Sequence, residues 1–470
     1  MNEECLKMAT KNISRRDFLR LSAAASALMA TGLDLESVLR AAPAELQDAV
    51  KIVFGGWGAT AEDNGVQAAI KQFQTENPNI SVEWQLTPQA PDYMQQLLTN
   101  FAAGTAPDTS FITSDSYETL AKGGQLMDIT DRIKADPDLS KPDYFFPQEV
   151  QRSADDNGHW HGIGSTWVAA QMYYNADMFD KAGIKPPGFK DEELWDWDTF
   201  VANAKQLTVD ANGKHPDDSG FDKDNIQTWG VDFPLGNWVI PAGAVYANGG
   251  SWIKDGKIAL DSPEAIDALQ KLADLVYKHN VGPRTAAMSD LGMTNDQLLN
   301  AGKLAMAIDG SWALSWINPT TMKNIKLGTA AIPKLKQAAD FMQAHFHAII
   351  SSTKHPEEAW KWIHFLATPF YTLSFMKIGL WLPSQTAQVT PDGLKTWITP
   401  GIHTDNYADF VTDYLPKHGV TARIPPGYIE ASNNFITPAF QALADGKAAA
   451  DIFPDAVKQA NEVLDAAAKG

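Results

Sequence analysis

The feature that most constrains the fold is a change of hydrophobic period, repeated along residues 51–113. Lys51-Ile52-Val53-Phe54 is a short apolar run ending in Gly55-Gly56-Trp57-Gly58, the pattern of a buried strand feeding a loop. Val66, Ile70 and Phe73 then recur at helical spacing before Asn77-Pro78, and Ile80, Val82 and Trp84 alternate with polar residues. The cycle repeats with a helix over Tyr93 to Ala103 and a strand over Thr109 to Thr113. Strand-helix-strand units in series imply an α/β fold, a mostly parallel sheet flanked by helices. In such sheets ligands bind beyond the C-terminal ends of the strands.

Ahead of this pattern lies an export leader. Ser14-Arg15-Arg16-Asp17-Phe18-Leu19-Arg20 precedes a small-residue, moderately apolar stretch from Leu21 to Leu33, and Ala42-Pro43-Ala44 supplies a cleavage site. The arginine pair resembles the twin-arginine signal, with Arg20 where that signal more often carries lysine. Residues 1–44 are therefore expected to be removed, and the protein to work in the periplasm or outside the cell. Six basic and five acidic residues leave with the leader, which takes the net charge from −19 to −20. A surface of that sign repels phosphates, so nucleic acid is excluded as a partner. The single cysteine, Cys5, leaves as well, which rules out a disulfide or cysteine metal site within the mature chain. No later apolar run approaches the roughly 20 residues that a membrane helix needs.

Farther along, Gly183-Ile184-Lys185-Pro186-Pro187 breaks the pattern, and Asp210 to Asp224 is polar and turn-rich. Spaced blocks carry a resemblance. They are Phe101-Ala102-Ala103-Gly104-Thr105-Ala106-Pro107-Asp108, Gly124-Gln125-Leu126-Met127-Asp128, Tyr173-Tyr174-Asn175-Ala176-Asp177-Met178-Phe179, Trp197-Asp198-Thr199-Phe200, Asn248-Gly249-Gly250, and Gly302-Lys303-Leu304-Ala305-Met306 running into Asp309-Gly310-Ser311-Trp312. In this order they resemble the extracellular solute-binding proteins of ATP-driven (ABC) sugar importers, the group that includes maltose-binding and glycerol-phosphate-binding proteins. The resemblance implies two α/β lobes of the type II periplasmic-binding fold, joined by two or three crossings, that close over ligand by hinge bending. It places the first lobe at 45–167 plus 347–380 and the second at 168–346 plus 381–470. It also implies a monomer that hands a carbohydrate to importer membrane subunits.

A sugar ring offers an apolar C–H face and a rim of hydroxyls, so its site needs flat aromatic surfaces beside groups that donate and accept hydrogen bonds. Several of the fifteen tryptophans stand in loops next to glycine or polar residues. Trp57 lies in a glycine loop with Asp63 and Asn64 close in sequence, although it could equally pack the strand-helix turn. Ser114 and Asp115 follow a strand, where the family also contacts its ligand; the competing reading makes Asp115 and Glu118 a capping box. The resemblance puts Trp167 at the first crossing, His347 at the middle one and Trp381 at the last. It aligns Asn237-Trp238 and Asp309-Gly310-Ser311-Trp312 with the second lobe's contacts. Trp360 and Trp362, at helical spacing with Ile363 and Phe365, are expected in the core.

Catalytic chemistry has little support. Asp155-Asp156, Glu192-Glu193 and Asp217-Asp218 sit in polar stretches where solvated charge is the ordinary outcome. There is no Gly-x-Ser-x-Gly elbow. Asp210-Ala211-Asn212-Gly213-Lys214 opens like a calcium loop, but Lys214 occupies a ligand position and no glutamate closes it. No cofactor and no metal are expected. Two other readings stay open. One is a polyol-phosphate ligand, which needs convergent basic residues such as Arg284 or Arg423. The other is a secreted carbohydrate hydrolase using two carboxylates.

Overall fold

The computed structural model describes residues 49–155, 157–236, 238–284, 287–288 and 291–469. The leader, Asp156 and Asn237 lie outside them. By its internal contacts the chain divides into a small unit, 1–51 with Gln74–Ser81, and a large one, Ile52–Phe73 with Val82–Gly470. In the small unit Val50 N donates to Asn79 O at 2.8 Å and Ile80 N to Asn77 O at 2.9 Å. The groups discussed below belong to the large unit.

In chain order the strands are β1 (Val50–Trp57), β2 (Ile80–Thr87), β3 (Thr109–Ile112), β4 (Thr166–Trp167), β5 (Ala170–Asn175), β6 (Val209–Asp210), β7 (Ile226–Asp232), β8 (Leu304–Gly310), β9 (Leu327–Ala330), β10 (Asp340–Phe341), β11 (Phe346–Ile349) and β12 (Leu382–Pro383). The helices that matter for the site are α1 (Thr60–Glu76), α2 (Ala90–Ala103), α3 (Ser114–Lys122), α4 (Pro147–Ser153), α5 (Val239–Ala247), α6 (Pro263–Tyr277), α7 (Thr437–Ala444) and α8 (Ala449–Lys469).

One sheet has the order β11-β3-β1-β2 and the other β9-β5-β8-β7-β6. The first follows the expected pattern: β1 and β3 are parallel, with Phe54 opposite Thr109. The returning strand β11 pairs antiparallel to β3, with His347 opposite Phe111. The helical period buries Val66, Ile70 and Phe73 of α1. Gly104 ends α2 in the left-handed region at φ 69°, where a side chain would be strained. In the second sheet β8 runs parallel to β7, with Ala307 opposite Asp232, and antiparallel to β5, with Gly310 opposite Ala170. Phe453, Val457, Ala460 and Leu464 recur every three or four residues on α8 and are all buried. Phe453 meets Phe440 of α7 with ring centres 5.2 Å apart.

The sheets are joined where β4 pairs antiparallel with β12, Trp167 opposite Leu382. Beside them Val168 and Gln343 exchange backbone hydrogen bonds at 2.9 and 3.1 Å. A buried ion pair on α4 holds these crossings. Arg152 Nη2 lies 2.7 Å from Glu149 Oε2, and both side chains are almost wholly buried. Arg152 also donates to Ala344 O (2.6 Å) and Thr166 O (3.2 Å), while Glu149 Oε1 accepts from Gly164 N (3.0 Å) and Ser153 Oγ (2.5 Å). Because every group is matched, the pair tolerates its dry surroundings. The guanidinium is sandwiched by Trp167 and Phe346, at 4.3 and 4.4 Å from the ring centres.

Two expectations about helices change. Trp362 is fully buried, but Trp360 of the same helix is partly exposed, with the Arg132 guanidinium 5.7 Å from its ring. The N-cap of α3 is Thr113, so β3 ends one residue earlier than expected, and there is no capping box. Glu118 Oε1 accepts instead from Arg423 Nε and Nη2 at 2.9 and 2.7 Å.

Candidate functional site

On the first sheet the aromatic residues form a closed line. Trp57, partly buried, meets Phe111 edge-on at 5.3 Å and His345 at 5.5 Å. His345 stacks on Phe111 at 4.3 Å and touches Trp381 at 4.9 Å. Burial, with Arg152 adding to it, holds the His345 imidazole neutral by pushing its pKa down to about 3. Below Trp57 the loop folds on itself: Glu62 Oε2 accepts from Ala59 N at 2.9 Å, and burial raises the Glu62 pKa. Asp63 is half-buried and accepts weakly from Gln67 (3.5 Å), whereas Asn64 faces solvent.

The start of α3 reaches toward the second sheet. Ser114 Oγ donates to Gln343 Oε1 at 2.7 Å, in the middle crossing. Gly427 N donates to Thr119 Oγ1 at 3.3 Å, and the Arg423–Glu118 pair lies alongside. The half-buried Asp115 has its pKa raised by burial, despite hydrogen bonds from Thr113 and Ser116, and its charge in turn disfavours ionisation of Tyr428. Tyr428 belongs to an aromatic group on the second sheet's side. Trp252 Nε1 donates to Tyr428 OH at 2.8 Å, and Trp238 packs on Trp252, Phe341 and Tyr428 at 5.6, 5.2 and 6.0 Å.

Beyond β7 and beside that group lies a crevice of about 430 Å³, within the range of small-molecule sites. Trp238 and Tyr277 give it aromatic faces over the buried Trp252, and Asp232, Arg284 and Thr437 give it polar edges. Asp232 is the last residue of β7 and pairs with Ala307, so Asp309, two residues along β8, shares its face of the sheet. Burial pushes the Asp232 carboxyl up to about 7, and the Asp309 charge adds to the shift. Burial raises Asp309 too, although Asn295 Nδ2 (3.2 Å) and Gly310 N (2.7 Å) donate to it. No ion pair links either carboxylate to a basic side chain among the described residues. An ionisable edge left without a counter-charge is a group available for a ligand.

The other sequence-predicted residues divide by burial. Trp167 is fully buried under Arg152 and offers no free face in this conformation, so its place at the crossing is structural. His347 is also fully buried; its Nδ1 bonds Ser165 Oγ at 2.8 Å, and burial keeps its pKa well below the usual value. Ser311 is occupied by Ala169, just ahead of β5, its N donating to Ala169 O at 2.7 Å and its Oγ accepting from Ala169 N at 3.3 Å. Gly310 makes room for Trp312: a Cβ there would come 2.1 Å from the indole. Trp312 itself stays partly exposed, whereas Trp381 is buried against Phe375 at 4.1 Å. Of the predicted residues, Trp238 is the one that lines the crevice among those described.

Sequence reasoning passed over Asp232, Tyr277 and Tyr428, and it named Arg284 only for a polyol-phosphate ligand. Asp232 carried a usable signal, since it closes an apolar strand just as Ser114-Asp115 follows one. The polar 210–224 stretch is self-contained: the Asp210 carboxylate accepts from the backbone of Asn212, Lys214 and Asp222 at 2.8 Å each. No group of three or more potential metal-ligating side chains occurs among the described residues. No described helix is long and apolar enough to cross a membrane.

Residues 57–371 match the family model for bacterial extracellular solute-binding proteins, and residues 12–32 match that for twin-arginine translocation signals, which marks the chain for export. A protein of Brucella abortus is 26% identical over 403 residues, 84% of this chain and 88% of its own. The maltodextrin-binding protein of Bacillus subtilis is 26% identical over 330 residues, 68% and 70% of the two chains. An ABC substrate-binding protein from Listeria monocytogenes, solved with cycloalternan, superposes with a TM-score of 0.74 at 22% identity, covering 89% of this chain and all of that one. Maltose-bound MalE3 of T. maritima gives 0.67 at 24%, covering 89% and 99%. The two sheets with their triple crossing are the two-lobed type II binding-protein architecture, and the chain belongs to the bacterial extracellular solute-binding protein family.

Proposed function

We propose that this protein captures a sugar or oligosaccharide between its lobes outside the cytoplasm and delivers it, as a monomer, to the membrane subunits of an ABC importer, without transforming it. The observation that carries this reading is the crevice after β7, on the second lobe, where Trp238 and Tyr277 present ring faces beside Asp232, Arg284 and Thr437. Flat apolar surface edged with donors and acceptors is what a pyranose demands. The maltodextrin-binding relative and the cycloalternan-bound neighbour support the ligand class. A polyol phosphate fits less well, because Asp232 would set a carboxylate near the phosphate.

The lobes are assigned to 45–167 plus 347–380 and 168–346 plus 381–470. Trp57, Asp63, Asn64, Ser114 and Asp115 then serve the first face, and Trp238, Asp309, Gly310, Trp312 and Trp381 the second or its border. Trp167, Ser311 and His347 support them from within. Ligand that touches both faces only when the lobes are shut favours the closed form by its difference in affinity, and that form is the one a transporter recognises.

The test is a thermal-shift screen of residues 45–470 against mono- and oligosaccharides, polyol phosphates and calcium, with the bound compound recovered and identified. One sugar class should raise the melting temperature and return intact. Cleaved sugar would establish an enzyme, and a response to polyol phosphates alone would overturn the carbohydrate ligand.

A further inference from the structure

The Asp232 carboxylate borders the crevice with its bonding capacity unused. Among the described residues no N–H or hydroxyl donates to it and no basic side chain pairs with it. The charge that acts on it is that of Asp309, on the neighbouring strand, which has the same sign. Arg284 also borders the crevice, but its exposed guanidinium stands over the Tyr277 ring, 5.8 Å from the centre, and exerts no charge effect on Asp232. A carboxylate withdrawn from water keeps its charge only beside a positive group or a full set of donors. Without either, burial drives Asp232 toward the neutral acid, with a pKa of about 7.

The rings beside it point to the sign of what is missing. Trp238 and Tyr277 line the same crevice, and the face of an aromatic ring is negative and attracts a cation. The guanidinium resting over Tyr277 shows that such a face takes a positive group here. Asp115, from the first sheet, lies close enough for its charge to act on Tyr428, whose ring packs on Trp238 at 6.0 Å. The chain's net charge of −19 draws cations toward the molecule. A sugar hydroxyl donates one hydrogen bond and leaves the carboxylate's charge uncompensated, whereas an ammonium donates three and supplies the counter-charge.

We propose that the ligand is an amino sugar bound as its ammonium, with the sugar ring against Trp238, the amine on one oxygen of Asp232 and the adjacent ring hydroxyl on the other. This rests on the carbohydrate reading above and narrows it to sugars with a free amine, since N-acetylation removes the charge that Asp232 lacks. The ammonium then takes the place of a proton. Below its pKa the free acid is mostly protonated, so binding at about pH 6 releases about one proton per ligand.

The experiment is calorimetric titration of the mature protein with glucosamine, galactosamine and the di- and trisaccharides of glucosamine, each beside its N-acetylated and its hydroxyl counterpart, at about pH 6 in phosphate and in bis-Tris. One free amine should bind at least about tenfold more tightly than both counterparts. Its binding enthalpy should differ between the buffers, because bis-Tris takes up a released proton with far more heat than phosphate. Asp232→Asn, which keeps the shape of the side chain, should cost the amine more affinity than the neutral sugars and remove the buffer dependence. Neutral sugars that bind as tightly as the amines, or equal losses in Asp232→Asn, overturn this inference and leave the carbohydrate reading standing. Failure of all three series overturns this inference, and a screen negative for every other sugar overturns the carbohydrate reading with it.

Discussion

The Glu149–Arg152 pair at the crossings and Asp232 at the crevice wall, with Asp309 on the neighbouring strand, pose the same physical problem, a charge taken out of water, with opposite solutions. At the crossings the carboxylate has a guanidinium at 2.7 Å, a backbone N–H and a hydroxyl, and the guanidinium has two backbone carbonyls besides. At the crevice wall Asp232 feels the charge of Asp309 on the neighbouring strand, and neither carboxylate is ion-paired among the described residues. A fully matched charge fixes geometry, whereas an unmatched one at the wall of a cavity is held ready for a partner. The first site holds the crossings between the sheets, and the second is where we propose that ligand binds.

The largest effect should come from breaking the matched pair. Arg152→Met leaves Glu149 buried without its cation and also frees Ala344 O and Thr166 O, so urea unfolding should show a loss of about 3–5 kcal/mol. Replacing both residues by apolar ones of similar size should recover much of that loss. If the single and double variants fall equally, the matching of charge is not what stabilises the crossings.

Next, Trp238→Ala should weaken sugar binding by about thirtyfold, near 2 kcal/mol, measured by titration, with less effect on unfolding than Arg152→Met. An equal loss of affinity in Trp167→Phe would erase the distinction between the crossing and the crevice. Breaking the Arg423–Glu118 pair with Arg423→Gln should shift the lobes toward the open form in solution scattering. The cost in affinity should be roughly 1 kcal/mol, about fivefold.

The smallest effect is one of pH. Asp232 has its folded pKa raised to about 7 from 3.8, so its neutral form adds stability below the unfolded value, and this is lost as pH rises through 7. Asp232→Asn should therefore melt about 2 °C or more above the parent at pH 8, with a smaller gap at pH 5. The opposite ordering would mean that a cation already neutralises the carboxylate.

The fold was legible in the sequence because its cause is local. Alternation at Ile80, Val82 and Trp84 and helical spacing at Val66, Ile70 and Phe73 act over a few residues, and the structure keeps both. The site was less legible because its causes are distant. Trp167 and Trp238 look alike in sequence, each beside small or polar neighbours, yet Arg152 arrives from another element to seal the first while the second remains partly open. The capping box at Asp115 and Glu118 failed for the same reason: Arg423, far along the chain, takes the Glu118 carboxylate. Asp232 and Asp309 come together only through the register of β7 and β8, which no local pattern encodes.

The most direct test of the central claim is a crystal structure of the mature protein with the tightest-binding sugar of the screen. The account predicts an intact sugar lying on Trp238, with a hydroxyl within hydrogen-bonding distance of Asp232. Sugar held elsewhere with the crevice vacant, or a cleaved product in it, would contradict that claim.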